Sequence, residues 1–157
     1  MASYEKLYEK LNEIMGDLTP IRADCGVLCG KACCKGDENT GMRLFPHEKS
    51  SLNTKKTEDG TVLAVCSGRC ERSERPLSCK IFPFFPCVDG EGNVYAELDM
   101  RAKRLCPLVE HSEEVLFDPR FIRAVERVGK ILVKDKECFD FLLKNTEEID
   151  MFDSLLN

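Results

Sequence analysis

Cys25-Gly-Val-Leu-Cys29-Gly-Lys-Ala-Cys33-Cys34 places four cysteines within ten residues. The chain has ten cysteines, and five of the other six lie between Cys66 and Cys106. The start of the sequence, MASYEKLYEK, is polar throughout and has neither the apolar stretch nor the small-residue cleavage site of a secretory signal. A cytoplasmic, reducing setting is therefore expected, where thiols stay free to act as thiolate ligands. Disulfides fit the even count but not that setting. Buried core thiols rarely cluster with glycine at this spacing. The reading that follows is that Cys25 to Cys34 and Cys66 to Cys106 fold around bound zinc or iron.

The spacing says more. On a helix Cys25, Cys29 and Cys33 would share a face. Gly26, Gly30 and Gly36 favour tight turns instead, where backbone N–H groups can face a sulfur and stabilise its thiolate. Side chains of the neighbours Cys33 and Cys34 diverge, which is awkward for one tetrahedral ion and suits two nearby centres or one cluster with a spare thiolate. Cys66-Ser-Gly-Arg-Cys70 repeats the three-residue gap with a glycine inside, and Cys79 and Cys106 complete the set. These gaps are longer than the two-residue gaps of common zinc ribbons. Cys138 sits in a helical apolar pattern and reads as a core thiol, while Cys87 is left outside the ligand set. His47 and His111 read as polar loop residues.

Around this region the sequence predicts a helical frame in a single domain, 1–157. Tyr4, Leu7, Tyr8, Leu11, Ile14, Met15 and Leu18 recur at helical spacing, predicting an amphipathic helix over 3–18 with Ser3 as its cap. From 22 to 108 the periodicity fades. Two strand signals remain there, Thr61-Val-Leu-Ala-Val65 and a hairpin from Phe85-Pro-Cys-Val88 through a glycine-rich turn to Val94-Tyr-Ala-Glu-Leu98. Irregular connections of this length need something to hold them, and a structural zinc site supplies roughly 10–16 kcal/mol of apparent folding free energy. From 118 to 156 helices return. Asp118-Pro119 is a start signal for one running to about Lys134, a second is expected over 137–144, and a third opens at Thr146. Gly129 inside the first costs about 1 kcal/mol against alanine, so close packing is expected at that point. The fold class is mainly α, with N-terminal and C-terminal helices bracketing an irregular, metal-organised centre that carries a short β-hairpin.

Composition bounds the function. The formal charge of −5 argues against general nucleic-acid binding, which needs a basic face to displace counterions. No apolar run approaches the ~20 residues of a membrane helix. There is no glycine-rich nucleotide loop and no paired acid–base constellation, so no small-molecule substrate is identifiable and the question of catalysis stays open.

Cys25, Cys29, Cys33-Cys34, Cys66, Cys70 and Arg75-Pro-Leu-Ser-Cys79-Lys-Ile-Phe-Pro83 together resemble the YkgJ-like cysteine-cluster family, a zinc- or iron-chelating domain of bacteria. Gly41-Met-Arg-Leu-Phe-Pro46 and residues 101–107 are similar to a clostridial-type branch of it. The resemblance covers roughly residues 22–108 and implies eight metal ligands: Cys25, Cys29, Cys33, Cys34, Cys66, Cys70, Cys79 and Cys106. It also implies that Arg75 donates to the thiolates from behind the metal. Lys80 stands where the family usually has arginine, and an ammonium cannot make the paired contacts of a guanidinium.

Arg69, Arg72, Lys80, Arg101, Lys103 and Arg104 are further cations near the cysteines, serving the thiolates or forming a solvated basic stretch, with a nucleic-acid patch as the weakest third use. Divided four and four, eight thiolates make two closed tetrahedral Zn2+ sites, which are structural. The expectation is a metal-stapled binding or interaction domain, open to a protein partner that the sequence does not identify. The alternative is an iron–sulfur redox or methyl-transfer protein, by analogy with the flagellin lysine N-methylases that carry a similar cluster. Cys106-Pro107 resembles the Cys-Pro that ends ferredoxin runs.

Overall fold

The computed structural model describes residues 2–21, 42–49, 53–58, 60–65, 76–103 and 106–156. It is mainly helical, with two small antiparallel sheets. The first helix, α1, spans Ala2–Met15. It begins one residue earlier than the sequence suggests, which puts Ser3 inside the helix rather than at its cap. It also ends three residues sooner. Gly16 adopts φ +50 and its N–H bonds to the Asn12 carbonyl at 2.9 Å, closing the helix in a left-handed turn that a side chain would disfavour.

Three short strands follow: β1 (Met42–Arg43), β2 (Asn53–Lys56) and β3 (Val62–Val65). They form one sheet in the order β1-β3-β2, antiparallel throughout. β3 falls where the apolar run from Thr61 to Val65 predicts a strand. β1 and β2 escape sequence reading because one is two residues long and the other, Asn-Thr-Lys-Lys, has no apolar alternation.

A one-turn helix, α2 (Leu77–Ile81), leads through Phe82 and Pro83 into the predicted hairpin of β4 (Phe84–Val88) and β5 (Val94–Leu98). Asp89 holds its turn. One carboxylate oxygen accepts the N–H groups of Glu91 and Asn93, and the other accepts the Asn93 side chain at 2.9 Å. These bonds keep the Asp89 carboxyl below its ordinary value. A 3-10 turn (Met100–Ala102) and the short α3 (Pro107–Glu110) then lead to the two long C-terminal helices.

Helix α4 (Pro119–Leu132) starts as predicted, with the Asp118 side chain accepting from the Arg120 N–H. Helix α5 runs unbroken over Lys136–Leu156, which replaces the two helices expected there with one. The polar pair that suggested a break is absorbed by the helix itself. Asn145 Nδ2 donates to the Phe141 carbonyl and Thr146 Oγ1 donates to the Leu142 carbonyl, each one turn back.

The main core gathers Leu11 and Met15 of α1, Leu77 and Ile81 of α2, Phe84 to Val88 of the hairpin, Phe121, Val125 and Val128 of α4, and Leu142 and Ile149 of α5. Helix α4 lies on the hairpin at Gly129. A Cβ there would sit 2.6 Å from Val94 Cγ1 and 2.7 Å from Pro86 Cβ, so only glycine permits this approach. Thr146 Oγ1 accepts the Val88 N–H at 3.0 Å, which ties α5 to the hairpin backbone. Among the described residues, no helix is long and apolar enough to cross a membrane.

Candidate metal centre and the adjoining cavity

Two of the eight predicted ligands, Cys79 and Cys106, are among the described residues. Cys25, Cys29, Cys33, Cys34, Cys66 and Cys70 lie outside them, as do Arg75, Arg69, Arg72 and Arg104. Among the described residues no three His, Cys, Asp or Glu side chains gather as a metal-holding group.

Cys79 is half-buried in the middle of α2, its N–H bonded to the Pro76 carbonyl at 3.0 Å. Cys106 is buried, and its N–H caps the 3-10 turn by bonding to the Ala102 carbonyl at 2.9 Å. Ser78 and Ala102, the one beside Cys79 and the other one turn before Cys106, line the same cavity. The chain therefore brings both cysteine-bearing elements to one place.

The chain ends that lead toward the other cysteines meet this place too. Ile21 packs against the small apolar cluster of Ala102, Cys106, Leu108 and Val109, and Cys25 follows four residues later, at most about 14 Å of chain. Met42 pairs with Ala64 in the antiparallel β1–β3 ladder, so the strand that ends at Val65, just before Cys66, runs beside the start of β1. β1 in turn packs on α2.

Cys87 and Cys138 differ from these two. Both are 0% exposed in the main core. Burial pushes the Cys87 thiol up to about 12. Burial and a hydrogen bond with Asp135 push Cys138 to about 12, with the Tyr8 hydroxyl 3.8 Å from its sulfur. Both sulfurs lie within the main apolar cluster. Cys138 is thus the core thiol that its helical pattern suggests.

Beside the candidate centre is a cavity of about 230 Å³. Its aromatic wall is Phe82, Phe85 and Phe141, and its polar wall includes Arg43, Asp99, Arg101 and Asn145, whose ion network extends to Glu148 of α5. Arg101 Nη1 donates to Glu148 at 2.9 Å and to Asn145 Oδ1 at 2.6 Å, while its Nε and Nη2 grip both oxygens of Asp99 at 2.8 Å. Arg43 Nη1 reaches the same two acceptors, Glu148 at 2.6 Å and Asn145 at 3.2 Å. Burial works against the Arg101 charge, but Asp99 and Glu148 together hold its pKa above the ordinary value. Its guanidinium also stands 5.6 Å from the Phe85 ring centroid. Arg101 thus serves carboxylates rather than a solvated basic stretch. Lys80 is buried and donates to Asn12 Oδ1 at 2.9 Å.

Sequence reading passed over Glu48. Its two carboxylate oxygens accept the N–H of Phe45 at 3.1 Å and the N–H of Leu77, the first residue of α2, at 2.6 Å. Burial raises its pKa to about 7 against the pull of those donors. Glu48 therefore pins the turn after β1 to the helix that carries Cys79. His47 is spent on structure, stacked on Tyr4 with centroids 4.1 Å apart and paired with Glu137 of α5. His111 is exposed.

Compared with family models, with curated proteins and with solved structures, the chain shows no match.

Proposed function

We propose that this chain is a metal-binding cysteine-cluster protein of the YkgJ-like type. Cys25, Cys29, Cys33, Cys34, Cys66, Cys70, Cys79 and Cys106 hold two closed four-thiolate Zn2+ sites, which staple a small module that binds another protein. The observation that supports the reading is that Ser78 of α2, next to Cys79, and Ala102, one turn before Cys106, line one cavity, while Ile21 packs on the small cluster that contains Ala102 and Cys106. Among the described residues that cluster buries four side chains, a modest apolar contribution. Thiolate ligation supplies further stabilisation, and zinc bound by four thiolates has no open position for a substrate. Arg75, four residues before Cys79, supplies hydrogen bonds to the excess negative charge of the thiolates.

The test is elemental analysis with an absorption spectrum on protein purified without oxygen. Zinc at about two per chain in a colourless solution is the expected result. Iron with acid-labile sulfide and a brown chromophore would replace this reading with redox or methyl-transfer chemistry. Absence of metal from freshly purified protein would overturn it.

A further inference from the structure

The cavity beside α2 contains a buried polar atom without a partner among the described residues. Ser78 is 8% exposed, and its hydroxyl is the one buried side-chain N or O without a hydrogen-bond partner among the described residues. A buried hydroxyl left unpaired costs stability, so an unpaired one on a cavity wall points to a group that the cavity receives. The opposite side has unused donors as well. Arg43 commits only Nη1 to Glu148 and Asn145, leaving Nε and Nη2 without acceptors among the described residues. Its side chain is 40% exposed, at the rim. β1, which carries Arg43, packs on α2, which carries Ser78, so the two donors face one space.

The charges within this space select the ligand. Arg43 and Arg101 are balanced by Asp99 and Glu148, and Arg101 is held by both of those carboxylates. One further negative charge finds the outer edge of Arg43, whose fork matches a carboxylate in paired geometry. A multiply charged group would face Asp99 without additional cations on the wall to offset it. The remaining wall is Phe82, Phe85 and Phe141, which suits a flat apolar body. The volume of about 230 Å³ admits a single ring with a small substituent.

We infer that this cavity binds a small aromatic monocarboxylate, its ring against Phe82, Phe85 and Phe141 and its carboxylate accepting from Arg43 and Ser78. The assignment stands apart from the metal reading, since neither donor is a cysteine.

The test uses the full chain as purified, with benzoate as the probe, benzamide as its neutral counterpart and inorganic phosphate as the multiply charged anion. Binding is read by ligand-observed saturation-transfer NMR and by titration. Benzoate is expected to bind saturably with a dissociation constant on the order of 1 mM, a scale set by its few atoms. Benzamide is expected to bind at least about tenfold more weakly, because it cannot pair with the guanidinium. Phosphate should not displace benzoate. Arg43→Met should weaken benzoate binding about tenfold or more. Ser78→Ala should weaken it about threefold without lowering the thermal midpoint, because the hydroxyl it removes has no partner among the described residues. No saturable benzoate binding would overturn the assignment. So would equal affinity for benzamide, or unchanged affinity in Arg43→Met, which is also the result expected if benzoate merely coordinated a metal.

Discussion

The two apolar clusters of this protein stand in contrast. The large one draws residues from α1, α2, the hairpin, α4 and α5, and its rings interlock: Phe84 meets Phe117 edge-on at 4.9 Å, and Phe45 meets Phe141 at 5.3 Å. The small one has Ala102, Cys106, Leu108 and Val109. Each contains cysteine, but in different roles. Cys87 and Cys138 fill space in the large cluster with thiols whose pKa is raised by burial, whereas Cys106 belongs to the small cluster and Cys79 is half-buried in α2. The difference teaches how two stabilising principles divide one chain. Apolar burial, at about 25 cal/mol per Å², suffices for the frame. In the proposed reading, metal ligation is the source for the cysteine region.

Metal removal is the strongest way to break the comparison. A chelator should abolish on the order of 10 kcal/mol of apparent stabilisation in the cysteine region while the frame stays helical. Thiol titration checks this: the cysteines of the proposed centre become reactive after chelation, and Cys87 and Cys138 react only on unfolding. Equal reactivity of all cysteines before chelation would erase the distinction.

The frame has its own largest weakness at Phe121, 0% exposed and central to α4. Phe121→Ala should cost about 3–5 kcal/mol in denaturant unfolding and leave metal content per folded chain unchanged. Gly129→Ala is smaller, about 1–3 kcal/mol, because the new methyl meets Val94 and the rigid Pro86 ring. Its cost should be read by unfolding, again with metal content preserved.

The smallest effect is a pH dependence at Glu48. Its carboxyl is raised from 4.5 to about 7, so between those values the native chain holds a proton that the unfolded chain has released. Stability from this group therefore falls as pH rises from about 4.5 to about 7 and levels off above. Glu48→Gln should remove that slope, on the order of 1 kcal/mol once its partial exposure is allowed for. Denaturant midpoints of both proteins across the window read the difference, which cancels the metal-linked protons they share.

Much of the frame is legible in the sequence because its signals are local and redundant. Asp118-Pro119 marks the start of α4, the glycine-rich turn marks the hairpin, and Gly129 marks the close contact between them. The errors arise where one residue type supports two structures. Asn145 and Thr146 can open a helix, but here their side chains bond one turn back and the helix continues. The cysteines announce themselves by number and spacing. The cavity does not, because Arg43, Ser78, Arg101 and Glu148 are scattered along the chain and only the packing of β1, α2 and α5 unites them.

The central claim is that thiolates hold metal in this protein. X-ray absorption at the edge of the bound metal, on protein as purified, tests it most directly. The account predicts zinc with a shell of four sulfurs at about 2.3 Å. A shell of nitrogen or oxygen at about 2.0–2.2 Å would contradict it.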